Sequence, residues 1–127
     1  FNYSSIGANT TVILGALGSV VTDGESAAGL YSLNSGSGNA IARADGTITT
    51  LQDWSDGVLA DVDRGTSSGN AEVTLSDTAT IHTMGVGAKG GWALNWGLGN
   101  AMVTSAATVT TATTARPPMR PGTRRGC

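Results

Sequence analysis

The residues best equipped for chemistry crowd one short stretch. Asp53, Asp56, Asp61 and Asp63 fall within "DWSDGVLADVD", and Arg64 follows directly. Two carboxylates at a set separation can cleave a glycosidic bond, one as acid and the other as base or nucleophile. Several oxygen ligands together can also hold calcium. A polysaccharide lyase would need a basic residue beside its substrate, and only Arg64 and Arg43 lie near enough in sequence. No motif organises these groups, and the nonapeptide calcium-binding repeat is absent. The four Asp residues therefore read as solvated corners. His82 is the single histidine and has no Cys or His close by, so it reads as an exposed side chain and not a metal ligand. The glycine-rich "GVGAKGG" puts Lys89 outside phosphate-loop spacing and has no Ser or Thr after it. No cofactor and no metal are implied. Trp54, Trp92 and Trp96 can contact sugar or protein if exposed, or pack under corners if not.

These groups must be held by short strands. Aromatic residues are only 5% and charged residues 13%, while Gly, Ala, Thr, Ser and Val dominate. Small and β-branched residues with many turn formers predict short strands and tight corners. Nothing sustains an apolar period of a helix. With 127 residues the chain is one domain or a piece of a larger one. It begins with Phe, without an initiator Met or a signal peptide, and so reads as a fragment. No apolar run is long enough to cross a bilayer as a helix. The single Cys127 cannot form an internal disulfide.

Charge divides the chain in two. All nine acidic residues lie between Asp23 and Asp77, offset in the body only by Arg43, Arg64 and Lys89. The segment 112–127 carries Arg116, Arg120, Arg124 and Arg125, every Pro and the Cys. An acidic body argues against nucleic acid as a partner.

The body repeats. Set in register on Asn9, Asn39, Asn70 and Asn100, alternate positions read Thr10, Val12, Leu14; Ala40, Ala42, Ala44; Ala71, Val73, Leu75; and Ala101, Val103, Ser105. They are small or apolar, and the positions between them are mostly polar. That alternation marks a strand with one buried face. A second run follows in each unit: "GSVVT", "GTITT", "ATIHT" and "ATVTT", with Val20, Ile48, Ile81 and Val109 in the same place. A third follows in three units: "SAAGLYS", "SDGVLAD" and "AKGGWAL".

Three short strands per unit fit one triangular coil of a solenoid. Propeller blades need four longer strands, and leucine-rich repeats need a Leu pattern that is missing. The expected fold is all-β, a parallel β-helix of about three to four coils over residues 1–111. One coil cannot bury its own inner face, but stacked coils bury it together. The predicted inner column is Val20, Ile48, Ile81 and Val109, with Val21, Thr49, His82 and Thr110 beside it facing out. Flat outward Thr arrays would suit ice binding, but Val21 and His82 break this one. Thr ladders that stabilise stacked strands are the plainer account.

The stretch "GNAEVTLSDTATIHTMGVGAKGGWAL", with "GTITT" at Gly46 and "AAGLYS" at Ala27, resembles the passenger domains of bacterial autotransporters, the type V secretion proteins. Pertactin-like and AIDA-type adhesins are among them. The resemblance covers about residues 9–111 and lies in repeat style, so it is specific to architecture. It implies a right-handed parallel β-helix displayed on a Gram-negative cell surface and anchored by an outer-membrane β-barrel. It also implies a structural or adhesive role without catalysis, and a protein or glycan ligand on a host or neighbouring cell. A β-helix polysaccharide lyase or hydrolase is the enzymatic alternative. A truncated, nonfunctional gene remnant is another.

The tail departs from the repeat. After Thr111 an acidic or Gly-rich turn is expected, but the chain reads "ATTARPPMRPGTRRGC". If the codons of Thr111 to Arg116 end in G, reading them two bases later gives Gly-Asp-Asp-Gly-Ala. That is a turn of the expected kind, so 112–127 reads as a frameshifted or disordered basic extension.

Overall fold

In a computed structural model, residues 1–113 are described. They form twelve strands and no helix. The first coil holds β1 (Asn2–Ser4), β2 (Thr10–Leu14) and β3 (Ser19–Thr22). The second holds β4 (Leu30–Asn34), β5 (Ala40–Ala44) and β6 (Thr47–Thr50). The third holds β7 (Val58–Val62), β8 (Ala71–Leu75) and β9 (Thr80–Met84). The fourth holds β10 (Gly91–Asn95), β11 (Ala101–Ser105) and β12 (Thr108–Ala112). Each strand pairs in parallel with its counterpart one coil away. Three four-stranded sheets result, ordered β1-β4-β7-β10, β2-β5-β8-β11 and β3-β6-β9-β12. The fold is a parallel β-solenoid of four coils.

The register follows the Asn anchors. Ala40 pairs with Thr10 and Ala71, and Ala71 with Ala101. The anchors themselves form a ladder. The Asn39 backbone N–H donates to Asn9 Oδ1 at 2.9 Å, that of Asn70 to Asn39 Oδ1 at 2.8 Å, and that of Asn100 to Asn70 Oδ1 at 2.9 Å. A side-chain carbonyl thus satisfies a corner amide that no strand reaches, which is why Asn recurs there.

The interior is narrow and filled with small residues. Ala40, Ala42, Ala44, Ala60 and Ala71 are fully buried, and Ile48 and Ile81 are the largest fully buried side chains. Val20, Ile48, Ile81 and Val109 pair in one column. Only the middle two are fully enclosed; Val20 packs at the edge of the core and Val109 is 41% exposed. Each outer member has a described coil on one side alone. The Ile side chains need room opposite them, and glycine provides it. A Cβ on Gly57 would lie 2.5 Å from Ile81 Cγ2 and 2.5 Å from the Gly90 carbonyl oxygen. Gly29 stands against Ile48, and Gly90 against Val109, in the same way.

Two details differ from the sequence expectation. The first coil contributes β1, so the β1-β4-β7-β10 sheet has four members where three runs were expected. A three-residue strand, "NYS", is too short to show a period. The last strand continues to Ala112, one residue past the expected boundary. The rest of the proposed tail, from residue 114, lies outside the described residues.

Candidate functional site

The four clustered Asp residues separate into distinct roles. Asp53 is an exposed corner residue whose Oδ1 accepts the Val86 N–H at 2.8 Å. Asp56 is only 6% exposed, and its Oδ1 accepts the Lys89 N–H at 2.8 Å. Asp61 is 9% exposed and sits on β7. Asp63, just past β7, is exposed. The expectation of solvated corners is therefore corrected at Asp56 and Asp61. Asp56 is buried because it ties one coil's corner to the next. Asp61 is buried because the large side chains around it roof it over.

The other candidates stay apart. Arg43 faces outward on β5 and pairs with Asp45 at 3.0 Å. Arg64 Nε donates to Thr66 Oγ1 at 3.2 Å. His82 is exposed between Thr49 and Thr110 in the outward column. Among the described residues no cluster of His, Cys, Asp and Glu is arranged to hold a metal. Trp54 occupies a corner at φ 59°, a rare conformation for a bulky residue, and is 57% exposed.

A different assembly emerges on the outer face of the β1-β4-β7-β10 sheet. Strand alternation turns Ser32 and Ala60 inward, both at 0% exposure, so their neighbours face out. One outward column runs Tyr31, Leu59, Trp92. The next runs Tyr3, Leu33, Asp61, Leu94. Phe1 lies against Tyr31 with ring centroids 5.1 Å apart. Trp96 follows β10, and its backbone N–H donates to the Val62 carbonyl at 2.8 Å. That continues the parallel ladder and puts Trp96 beside Asp63. Every aromatic residue except Trp54 is on this face. Of the two readings open for the tryptophans, Trp96 takes the exposed one at 66% exposure, and Trp92 lies on the strand face. Lys89 Nζ stands 3.9 Å from the centroid of a Trp92 ring, a cation–π contact.

Asp61 is the anomaly of this face. The Tyr31 hydroxyl donates to its Oδ2 at 3.4 Å, a long contact. Its Oδ1 is buried with no hydrogen-bond partner. Burial pushes the Asp61 carboxyl up from the ordinary range, the charge of Asp63 adds to that, and the Tyr31 hydrogen bond opposes it. The Tyr31 phenol is pushed up to about 12, by burial first and then by Asp61. Asp56 is also pushed up by burial, against the Lys89 amide and charge.

A carboxyl raised in the folded chain binds its proton more readily folded than unfolded. Stability is therefore gained as pH falls toward the ordinary value of 3.8 and lost as pH rises through the folded value. Asp45, held low by Arg43, acts only below that ordinary value. In urea titrations the midpoint is expected to be higher just above pH 3.8 than at neutral pH. Asp61→Leu continues the Leu33–Leu94 column and removes the unpaired oxygen. It is expected to raise the neutral-pH midpoint and flatten the slope in part, the remainder belonging to Asp56. A lowered midpoint would contradict the burial account.

The signal for this face was present in the third run of each unit. "GLYSL", "GVLAD" and "GGWAL" align Tyr31 with Leu59 and Trp92, and Leu33 with Asp61 and Leu94. Reading the runs only for inward residues hides it. Phe1 and Tyr3 carried no such signal, because β1 was not expected.

The fold defines the class, a three-sheeted parallel β-solenoid. No family model, no curated protein and no solved structure matches the chain.

Proposed function

We propose that the chain is a segment of an adhesive rod displayed on the surface of a Gram-negative cell, the passenger part of an autotransporter, with no catalysis of its own. The observation that supports this most is the face of aromatic and apolar residues on one side of a regular stack of coils. A solenoid carries no enclosed site by default and offers long flat sides instead. Apolar and aromatic groups grouped on an exposed side favour contact with a partner. The outer-membrane β-barrel of the parent protein would be the anchor. The ligand would be a protein or glycan on a host or neighbouring cell.

The repeat supports display as well. Each coil needs only its neighbour as a template, so the fold can grow from one end as chain emerges. Of the four clustered carboxylates, Asp53 and Asp56 are engaged by corner amides, which favours structural roles for these two over polysaccharide cleavage.

Display is tested on intact cells that encode the protein. Antibodies raised against the chain are expected to label unbroken cells, and protease added outside is expected to remove the label. Labelling that requires permeabilised cells would overturn the reading.

A further inference from the structure

We propose that the outer face of the β1-β4-β7-β10 sheet binds a neutral glycan chain laid along the solenoid axis, stacked on Tyr3 and Trp96 and hydrogen-bonded to Asp61 and Asp63. The inference rests on the adhesive reading and assigns the chemistry of the ligand. Three features of the face lead to it.

The first is the pair of open platforms. Tyr3 is 52% exposed and Trp96 66% exposed, whereas Lys89 already occupies a Trp92 ring. Tyr3 belongs to the first coil and Trp96 follows the fourth coil's strand, so they are separated by roughly 14 Å along the axis at about 4.8 Å per coil, with Trp96 set two residues further along the strand direction. That rise is close to the length of one pyranose unit. A glycan along the axis would therefore pass about one sugar per coil. The apolar face of a sugar ring suits an exposed aromatic plane.

The second is the unmet demand for a donor. Asp61 Oδ1 is buried without a partner, and the Tyr31 hydroxyl over Oδ2 is a long contact. Such a group costs folding free energy unless a donor satisfies it. When the Tyr31 ring turns aside, a rotamer change common at binding surfaces, the carboxylate opens to a ligand hydroxyl. Exposed Asp63 can accept a second hydroxyl next to Trp96. Sugars bring many such donors on a compact frame.

The third is charge. Asp61 and Asp63 repel uronates and sulfated sugars. Lys89 over Trp92 occupies the site that a cationic side chain would take. A neutral, hydroxyl-rich chain fits what remains.

The test uses the purified full chain with neutral hexasaccharides of glucose, mannose, galactose and N-acetylglucosamine. Hexagalacturonate and hexalysine serve as charged comparisons. Calorimetry and tryptophan fluorescence are expected to show saturable binding of at least one neutral hexasaccharide. Asp61→Leu is expected to weaken it about tenfold or more, as loss of a charge-assisted hydrogen bond would. Trp96→Ala, at an exposed site that leaves the fold intact, is expected to weaken it similarly. Thr49→Ala, on another sheet, is expected to leave it unchanged.

Any of four results would overturn the proposal: no neutral hexasaccharide binds, either charged probe binds more tightly, Asp61→Leu binds unchanged, or the face instead holds a second copy in a dimer that Trp96→Ala dissolves. If cells attach through this face yet no neutral sugar binds, the glycan falls and the adhesive reading stands.

Discussion

Ile81→Asp is expected to unfold the chain, while His82→Thr is expected to leave it unchanged. Ile81 is fully buried between Ile48 and Val109, with Gly57 leaving just enough room for its branched side chain. An unpaired carboxylate there would cost several kcal/mol, on the order of the whole stability of a small domain, which is about 5–15 kcal/mol. The side chain would also lose the apolar contacts that hold coil to coil, about 2 kcal/mol for a buried Ile. His82 is one residue along and points the other way. Its neighbours in the column are Thr49 and Thr110, so Thr at 82 simply makes the column uniform. Circular dichroism is expected to show loss of strand signal for Ile81→Asp, and urea titration an unshifted midpoint for His82→Thr. The reverse pattern would mean a register one residue out, which would turn every inward side chain outward.

That register was legible because the interior is built from pairs of identical positions. Ile48 and Ile81, or Ala40 and Ala71, occupy equal places in "GTITT" and "ATIHT" or in "NAIARA" and "NAEVTL". A parallel stack makes such equality a direct statement about contact. The Asn anchors were equally plain in the sequence, although their job, capping the next coil's amide, needed geometry to see. The glycines opposite the Ile column were visible as turn formers only. Their other role, making room for Ile48 and Ile81, depends on how the corner folds back over the third sheet.

The aromatic face is less legible in the sequence. Asp61 alternates correctly as an outward residue, and an outward Asp is ordinarily solvated. Its burial comes from neighbours on other coils, Tyr31, Leu33 and Leu94, which are about thirty residues away in the chain. Asp56 is hidden for a similar reason, since its partner is the backbone of Lys89 in the next coil. No spacing rule along the chain encodes a contact between coils until the register is fixed. The members of the acidic cluster divide between corners and one face: Asp53 and Asp56 accept corner amides, and Asp61 and Asp63 lie on the outer face.

The second large effect is expected on attachment. Tyr3 and Trp96 are exposed aromatic anchors on one face, and truncating such anchors costs on the order of 2 kcal/mol each when a partner covers them. Their loss is tolerable to the fold because neither is part of the buried core. The double variant Tyr3→Ala/Trp96→Ala is therefore a test of function and not of stability. A matched pair, Val21→Ala/His82→Ala, alters the outer face of the β3-β6-β9-β12 sheet by similar exposed truncations.

The decisive measurement is attachment of the producing cells to host-cell monolayers and to one another, with surface labelling used to equalise the amount displayed. Attachment is predicted to fall at least tenfold for Tyr3→Ala/Trp96→Ala, as the loss of more than 1.4 kcal/mol requires, and to be unchanged for Val21→Ala/His82→Ala. Equal attachment by all three proteins, or equal loss in both variants, would contradict the assignment of adhesion to the aromatic face.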